Sequence, residues 1–372
     1  MNDKSLAERL TAFAFILLPI AASLGLTALL VIAVGSDPRE VFDKLMEGAF
    51  RNGTAFAGVV NFWIPLALCS IGLVVTFRAG LWNIGVEGQM MMGAVFASWA
   101  AQFVALPSPL LIPLEIALAM LGGVLWAGLV GVLKTRLGVH EIFGGVALNA
   151  LANVATIYLI SGPWAPSDGS AQATAPFPDG AILPPLSADF PVSGVGLGVA
   201  LIAVVVLSLA LSGTRWGLQL KATGKNARSA LLLGVPTTRS YLTAFMVCGA
   251  VAGAAGAYRA LFTYTSLRPL ISGGIGFLAL LVVLLVGIRA VWTPLIAFAF
   301  AVILGGSTRV KVALRLDQSL AGVLQGIVVL FVMLSNGLRT RWQDRRAASD
   351  APTPTVTPST TVEMMRSKGD GT

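Results

Sequence analysis

Between two long apolar runs, one short stretch gathers several side chains able to do chemistry. Residues 78–89 read Arg-Ala-Gly-Leu-Trp-Asn-Ile-Gly-Val-Glu-Gly-Gln. Asn83, Glu87 and Gln89 therefore offer an amide, an acid and a second amide, with Trp82 beside them and Gly80, Gly85 and Gly88 between them. Glycine loosens a helix, and polar groups persist at membrane depth only where protein or a water-filled cavity surrounds them. The stretch reads either as the wall of a transport path or as a polar connection between two helices. Asn149 and Asn153, four apart on one helical face, suit a polar uncharged solute or hydrogen bonds that hold spans together. Glu87 either faces a path or caps a helix start, where acids are favoured. Trp82 either stacks on a planar ligand or packs in the membrane interface.

Other chemistries find little support. His140 is the single histidine, and Cys69 and Cys248 lie in separate apolar runs, so metal or redox spacing is missing. No clustered nucleophile and base suggests an enzyme. No G-x-x-x-x-G-K-[ST] phosphate loop occurs, so no cofactor is expected in this chain. An ion-coupled secondary transporter would call for more intramembrane ionisable groups than Glu87, Glu115 and Glu141 supply.

The elements that must position these residues are membrane helices. The 372 residues are 56% hydrophobic and 11% charged, against about 25% charged in soluble domains. Apolar runs at 10–34, 58–77, 90–105, 110–133, 142–160, 195–211, 241–262, 276–287, 292–305 and 320–335 predict an all-α integral membrane protein of about ten transmembrane helices. The first run is too long for a signal-peptide core and is expected as a retained helix. Between the first two, Asp37-Pro38-Arg39-Glu40 carries an N-cap, a first-turn proline and an acid, and Val41, Phe42, Leu45, Met46 and Phe50 share a face. An interfacial amphipathic helix on the outer side follows. The net charge of +8 is assigned to cytoplasmic loops rather than to nucleic-acid binding.

Orientation comes from two loops. Residues 161–194 contain Asp168, Asp179 and Asp189 and no Lys or Arg, as an external loop should. Residues 213–240 carry Arg215, Lys221, Lys225, Arg228 and Arg239 and no acid, which places them inside. Arg339, Arg341, Arg345 and Arg346 put the carboxyl end in the cytoplasm too, so both termini are expected there. The membrane domain is expected over 1–346, with a disordered Pro/Thr-rich cytoplasmic tail over 347–372. One region resists the count: 276–305 is short and interrupted at Arg289 and Pro294, and Arg309, Lys311 and Arg315 would lie outside. It reads as two spans or as a re-entrant hairpin. Within 213–240, residues 226–233 predict a short helix, bracketed by Gly224 and Gly234, and the segment reads either as a helix suited to docking another protein or as a solvated basic loop.

With these residues in view, the chain resembles the membrane permease of a bacterial ABC importer. The resemblance is to the nucleoside branch of the branched-chain/ribose-type permease family, over about 37–334. The most specific match is to a G-L-[WF]-N-I-G-x-E-G-Q signature, met here by Gly80, Asn83, Gly85, Glu87, Gly88 and Gln89. A second is Glu141 with Leu148-Asn149. A third is the coupling loop, matched by Gly217, Ala222, Gly224, Asn226, Ala227 and Gly234. The resemblance implies a transport subunit in the bacterial inner membrane, paired with a second permease subunit. Cytoplasmic ATP-binding subunits would use ATP, and an extracytoplasmic substrate-binding lipoprotein would deliver cargo. Trp82, Asn83, Glu87, Gln89, Asn149 and Asn153 would then line or shape the path, and the 213–240 loop would receive the ATPase stroke. One stretch departs from the pattern: 276–283 carries Leu278 and Leu281 where many relatives are less greasy, which leaves a sugar or another small polar solute open beside nucleosides.

Overall fold

In the computed structural model, residues 21–22, 25–33, 35–167 and 172–314 are described, with isolated positions between 323 and 334. The expected spans at 10–34 and 320–335 and the tail lie wholly or largely outside the described residues. Among these the chain is helical, with no strand beyond an isolated bridge between Pro185 and Ser193.

α1 (Pro38–Phe50) starts as its sequence predicts, with the Asp37 carboxylate accepting from the Arg39 N–H at 2.8 Å and Pro38 in the first turn. Its apolar stripe divides: Val41, Leu45 and Ala49 are buried, while Phe42 and Phe50 remain exposed. α2 (Gly53–Arg78) is capped by Asn52 and runs through the middle of the molecule, with most of its apolar span buried. α3 (Val86–Phe103), α4 (Ser108–Leu137) and α5 (Glu141–Ser161) follow. α6 (Gly194–Gly213) turns at once into α7 (Arg215–Lys225) and then α8 (Ala227–Leu232). α9 (Thr237–Tyr258) continues as a π-turn, Arg259–Tyr264, before α10 (Ile275–Val286) and α11 (Thr293–Leu314).

Six helices among the described residues are long and apolar enough to cross a membrane: α2, α4, α5, α6, α9 with its π-turn, and α11. The 12 residues of α10 make about 18 Å, well short of a hydrocarbon core of about 30 Å. The uncertain 276–305 region is thus a half-length helix followed by a full one. Arg309 and Lys311 belong to α11 itself, Arg315 lies outside the described residues, and Arg309 pairs with Glu47 of α1 at 2.8 Å.

α9 is the axis of the packing, and its glycines explain why. A Cβ on Gly249 or Gly253 would fall on the α4 backbone at Gly123 and Ala119, and one on Gly256 would fall on the Met90 carbonyl of α3. Lipid gives no hydrophobic drive between helices, so small residues that admit backbone-to-backbone approach supply the attraction instead. The loop before α6 is also packed inward. Thr174, Phe177 and Leu183 donate their backbone N–H groups to Leu267, Thr265 and Leu261 at 3.0, 2.9 and 3.2 Å, and Phe177 and Leu183 are buried.

Candidate functional site

The break between α2 and α3 is a built joint. α2 ends at Arg78, Gly80 takes a left-handed φ of 77°, and α3 begins at Val86. Asn83 and Gln89 are fully buried and pair their amides reciprocally, Asn83 Nδ2 to Gln89 Oε1 at 3.1 Å and Gln89 Nε2 to Asn83 Oδ1 at 2.9 Å. Asn83 Nδ2 also approaches the Cys248 sulfur of α9 at 3.1 Å. Asn149 of α5 closes the joint from the other side: its Oδ1 accepts from the Gly88 N–H at 2.8 Å and its Nδ2 donates to the Ile84 carbonyl at 2.9 Å. Unpaired backbone polar groups at such a break would each be costly in a membrane interior, and this one side chain satisfies two of them. Gly88 permits the approach, because a Cβ there would lie 2.9 Å from Asn149 Oδ1.

Glu87 does more than sit in the first turn of its own helix. Its Oε1 accepts from the Phe277 N–H at 3.1 Å, and the Gly276 N–H and the Ser272 hydroxyl also reach its carboxylate. The acid therefore caps α10 from outside, at the helix end where backbone donors and the macrodipole favour negative charge. The segment leading into α10 is held tightly. Thr265 and Leu270 take positive φ values of 51° and 50°, and Gly273 and Gly274 follow at 60° and 78°. Arg259, buried in the π-turn, donates to the Ile271 carbonyl at 3.1 Å and to the Tyr264 hydroxyl at 2.6 Å, with its guanidinium over the Tyr264 ring. Asn153 Oδ1 accepts the Leu270 N–H at 3.2 Å.

Between these groups lies a cleft of about 330 Å³, with Glu87, Asn149, Asn153, Ser272, Gly273 and Phe277 in its lining. Three of the six path residues expected from sequence meet here. Asn83 and Gln89 stand behind it in the joint. Trp82 faces elsewhere: it is 42% exposed and packs edge-on against Phe77 at 5.0 Å. The aromatic ring on the cleft is Phe277, and the greasy Leu278 and Leu281 are absent from its lining. Phe277, the Ser272–Gly274 turn and Arg259 escaped the sequence reading. A buried arginine inside the apolar run 241–262 was the available signal.

Of the 213–240 residues matched to the family pattern, Gly224 reaches the same joint, and the others shape the turns around α7 and α8. A Cβ on Gly224 would strike the Arg78 carbonyl oxygen and lie 2.9 Å from the Gly80 nitrogen, so α7 rests backbone-to-backbone on the end of α2. Gly224 is thus a close-approach residue inside α7, not punctuation between a loop and a helix. Gly217 fits against the Leu211 and Ala210 carbonyls at the α6–α7 turn, and its N–H is capped by Thr214 at 3.1 Å. The Ala222 carbonyl receives the Asn226 N–H at 3.1 Å. Asn226 caps α8 through Ser229 at 2.9 Å, Ala227 opens that helix, and Gly234 ends it with φ 81°. The expected 226–233 helix is found as Ala227–Leu232, with α7 as an additional helix before it. Glu141 steadies the joint's rim, accepting from Lys134 at 2.7 Å with the Trp82 N–H at 3.5 Å.

A multi-span helical membrane protein with a partly polar cleft between its helices, and a short helix seated on the joint behind that cleft, has the build of a membrane transport subunit. The family model described as the branched-chain amino acid transport system permease component matches residues 55–333, and the chain belongs to that family. It is an ABC transporter permease subunit. The glucose ABC transporter permease protein TsgB13 of Haloferax volcanii is 30% identical, over 90% of this chain and 91% of that protein. The guanosine ABC transporter permease protein NupP of Bacillus subtilis is 27% identical over 90% and 97%. The nucleoside ABC transporter permease protein NupB of Lactococcus lactis is 26% identical over 76% and 80%.

Proposed function

We propose that this chain is the permease of an ATP-driven importer for nucleosides, working in the bacterial inner membrane with about ten spans and both termini in the cytoplasm. A second permease subunit completes the pore, cytoplasmic ATP-binding subunits hydrolyse ATP, and an external lipoprotein presents the cargo. The observation that carries this reading is the seat of Gly224 on Gly80, seven residues before Glu87 of the cleft. A displacement of α7 and α8 by an ATPase would move the α2–α3 joint, and with it the acid that caps α10. Two packed arrangements biased by nucleotide state are what alternating access needs. The docking surface fits as well: Leu232 and Leu233 are each 83% exposed at the tip of α8, beside Arg228 and Lys225.

In the cleft, the Phe277 ring offers a stacking face and the Asn153 amide keeps its N–H donors for a base carbonyl. A glucose-type cargo is the second reading, favoured by the name of the Haloferax relative. ATP-dependent uptake into proteoliposomes holding the reconstituted complex, with labelled guanosine, uridine and glucose in parallel, decides between them. Saturable nucleoside uptake that excess glucose leaves unchanged supports the proposal; glucose uptake without nucleoside uptake overturns it.

A further inference from the structure

A second hollow, also of about 330 Å³, opens away from the cleft where α1, the start of α2 and α11 meet. Its polar lining comprises Glu47, Arg51, Thr54, Thr308 and Arg309. The crossing of α1 and α11 fixes the position of Arg309, since a Cβ on Gly48 would come within 2.6 Å of Arg309 Cβ and 2.7 Å of the Gly306 carbonyl. Glu47 is already spent: Oε2 accepts from Lys44 at 2.9 Å and Oε1 from Arg309 Nη2 at 2.8 Å. Lys44, Arg51 and Arg309 outnumber it, so the rim is positive. Asp189 reaches this corner through its backbone carbonyl, which accepts from the Thr54 hydroxyl at 3.3 Å. Arg309 Nε is buried and has no hydrogen-bond partner, an expensive omission for a charged group. Arg51 has no ion-pair partner among the described residues. The positive end of α2 begins two residues after Arg51.

The chemistry that answers two guanidiniums with donors to spare is a phosphate anion. The surroundings say which kind. Phe62 and Val312 share the lining, and α1 turns Phe42 and Phe50 outward as an interfacial helix does. We propose that this hollow binds the phosphodiester headgroup of an anionic phospholipid, with Arg51 and Arg309 on the phosphate and Phe62 and Val312 against the first acyl carbons. The lipid would then staple α11 to α1 at the rim of the permease.

The test uses the complete transporter complex in neutral detergent. Bound lipid is counted by native mass spectrometry and thermal unfolding is followed with added dioleoyl phosphatidylglycerol, dioleoyl phosphatidylcholine or inorganic phosphate. Phosphatidylglycerol should be retained and should raise the unfolding temperature, whereas phosphatidylcholine should do neither. Arg51→Gln, which has no ion pair to lose, should weaken phosphatidylglycerol binding roughly tenfold, with Arg51→Lys in between. Equal retention of the two lipids, or unchanged phosphatidylglycerol affinity in both Arg51→Gln and Arg309→Gln, overturns the site. Equal stabilisation by inorganic phosphate alone makes the occupant a soluble anion and overturns the lipid assignment.

Discussion

Replacing Gly224 with alanine separates two physical forces of opposite sign. Gly224 lies in the last turn of α7, where helix propensity alone favours alanine by about 1 kcal/mol. The tertiary contact opposes it. A Cβ at Gly224 would lie 2.9 Å from the Gly80 nitrogen and 3.0 Å from the Ala79 carbonyl carbon, and closer still to the Arg78 carbonyl oxygen. Ordinary contact begins at 3.4 Å, so relieving the Gly80 contact alone takes 3.4 − 2.9 = 0.5 Å, and the nearer Arg78 carbonyl oxygen demands more, against backbone that has no rotamer to yield. Overpacking of this kind costs about 1–3 kcal/mol, which exceeds or cancels the propensity gain. Gly224→Ala should therefore lower the unfolding temperature of the purified complex, and Gly224→Val should lower it further. If the seat also transmits the ATPase stroke, ATP-driven uptake should fall about tenfold, the factor that corresponds to 1.4 kcal/mol, while the protein still inserts and still holds its ATPase. A Gly224→Ala complex that melts higher than wild type and transports at the wild-type rate would refute the argument.

Asn149→Ala should leave the Ile84 carbonyl and the Gly88 N–H unpaired at about 1–3 kcal/mol each, read as a lower unfolding temperature that Asn149→Gln does not restore. Phe277→Ala should raise the KM for nucleoside uptake about 5- to 150-fold, the loss of one base–aromatic stack of about 1–3 kcal/mol, whereas Trp82→Ala should leave KM near the wild-type value. The Lys44 ammonium and the Arg309 guanidinium hold the Glu47 carboxyl below its ordinary value of 4.5. A depressed folded-state value makes the contribution present above the ordinary value and lost as pH falls through the folded one. The stability difference between wild type and Glu47→Gln should accordingly stay constant from about pH 7 to about pH 5 and shrink below 4.5.

The chain's own sequence determined the class of the molecule. Apolar runs with polar punctuation admit few folds in a bilayer, because every backbone group must find a partner within the segment, and the cap at Asp37 and the α8 cap at Asn226 depend on neighbours a few positions away. Such local chemistry is legible residue by residue. It also singled out Asn83, Glu87, Gln89 and Asn149, since amides and an acid flanked by glycine are conspicuous in an apolar chain. What each of them does was a tertiary decision. Glu87 caps a helix that begins 188 residues later, Asn149 holds a break 61 residues before it, and Gly224 needs its missing Cβ because of Gly80. Phe277 and not Trp82 faces the cleft, since that depends on how α10 is aimed rather than on the ring itself. Spacing along a chain reports only which residues share a helix face. Which face meets which is fixed where backbones come close enough to touch, and in this protein those places are the glycines of α9 and of the α2–α7 seat.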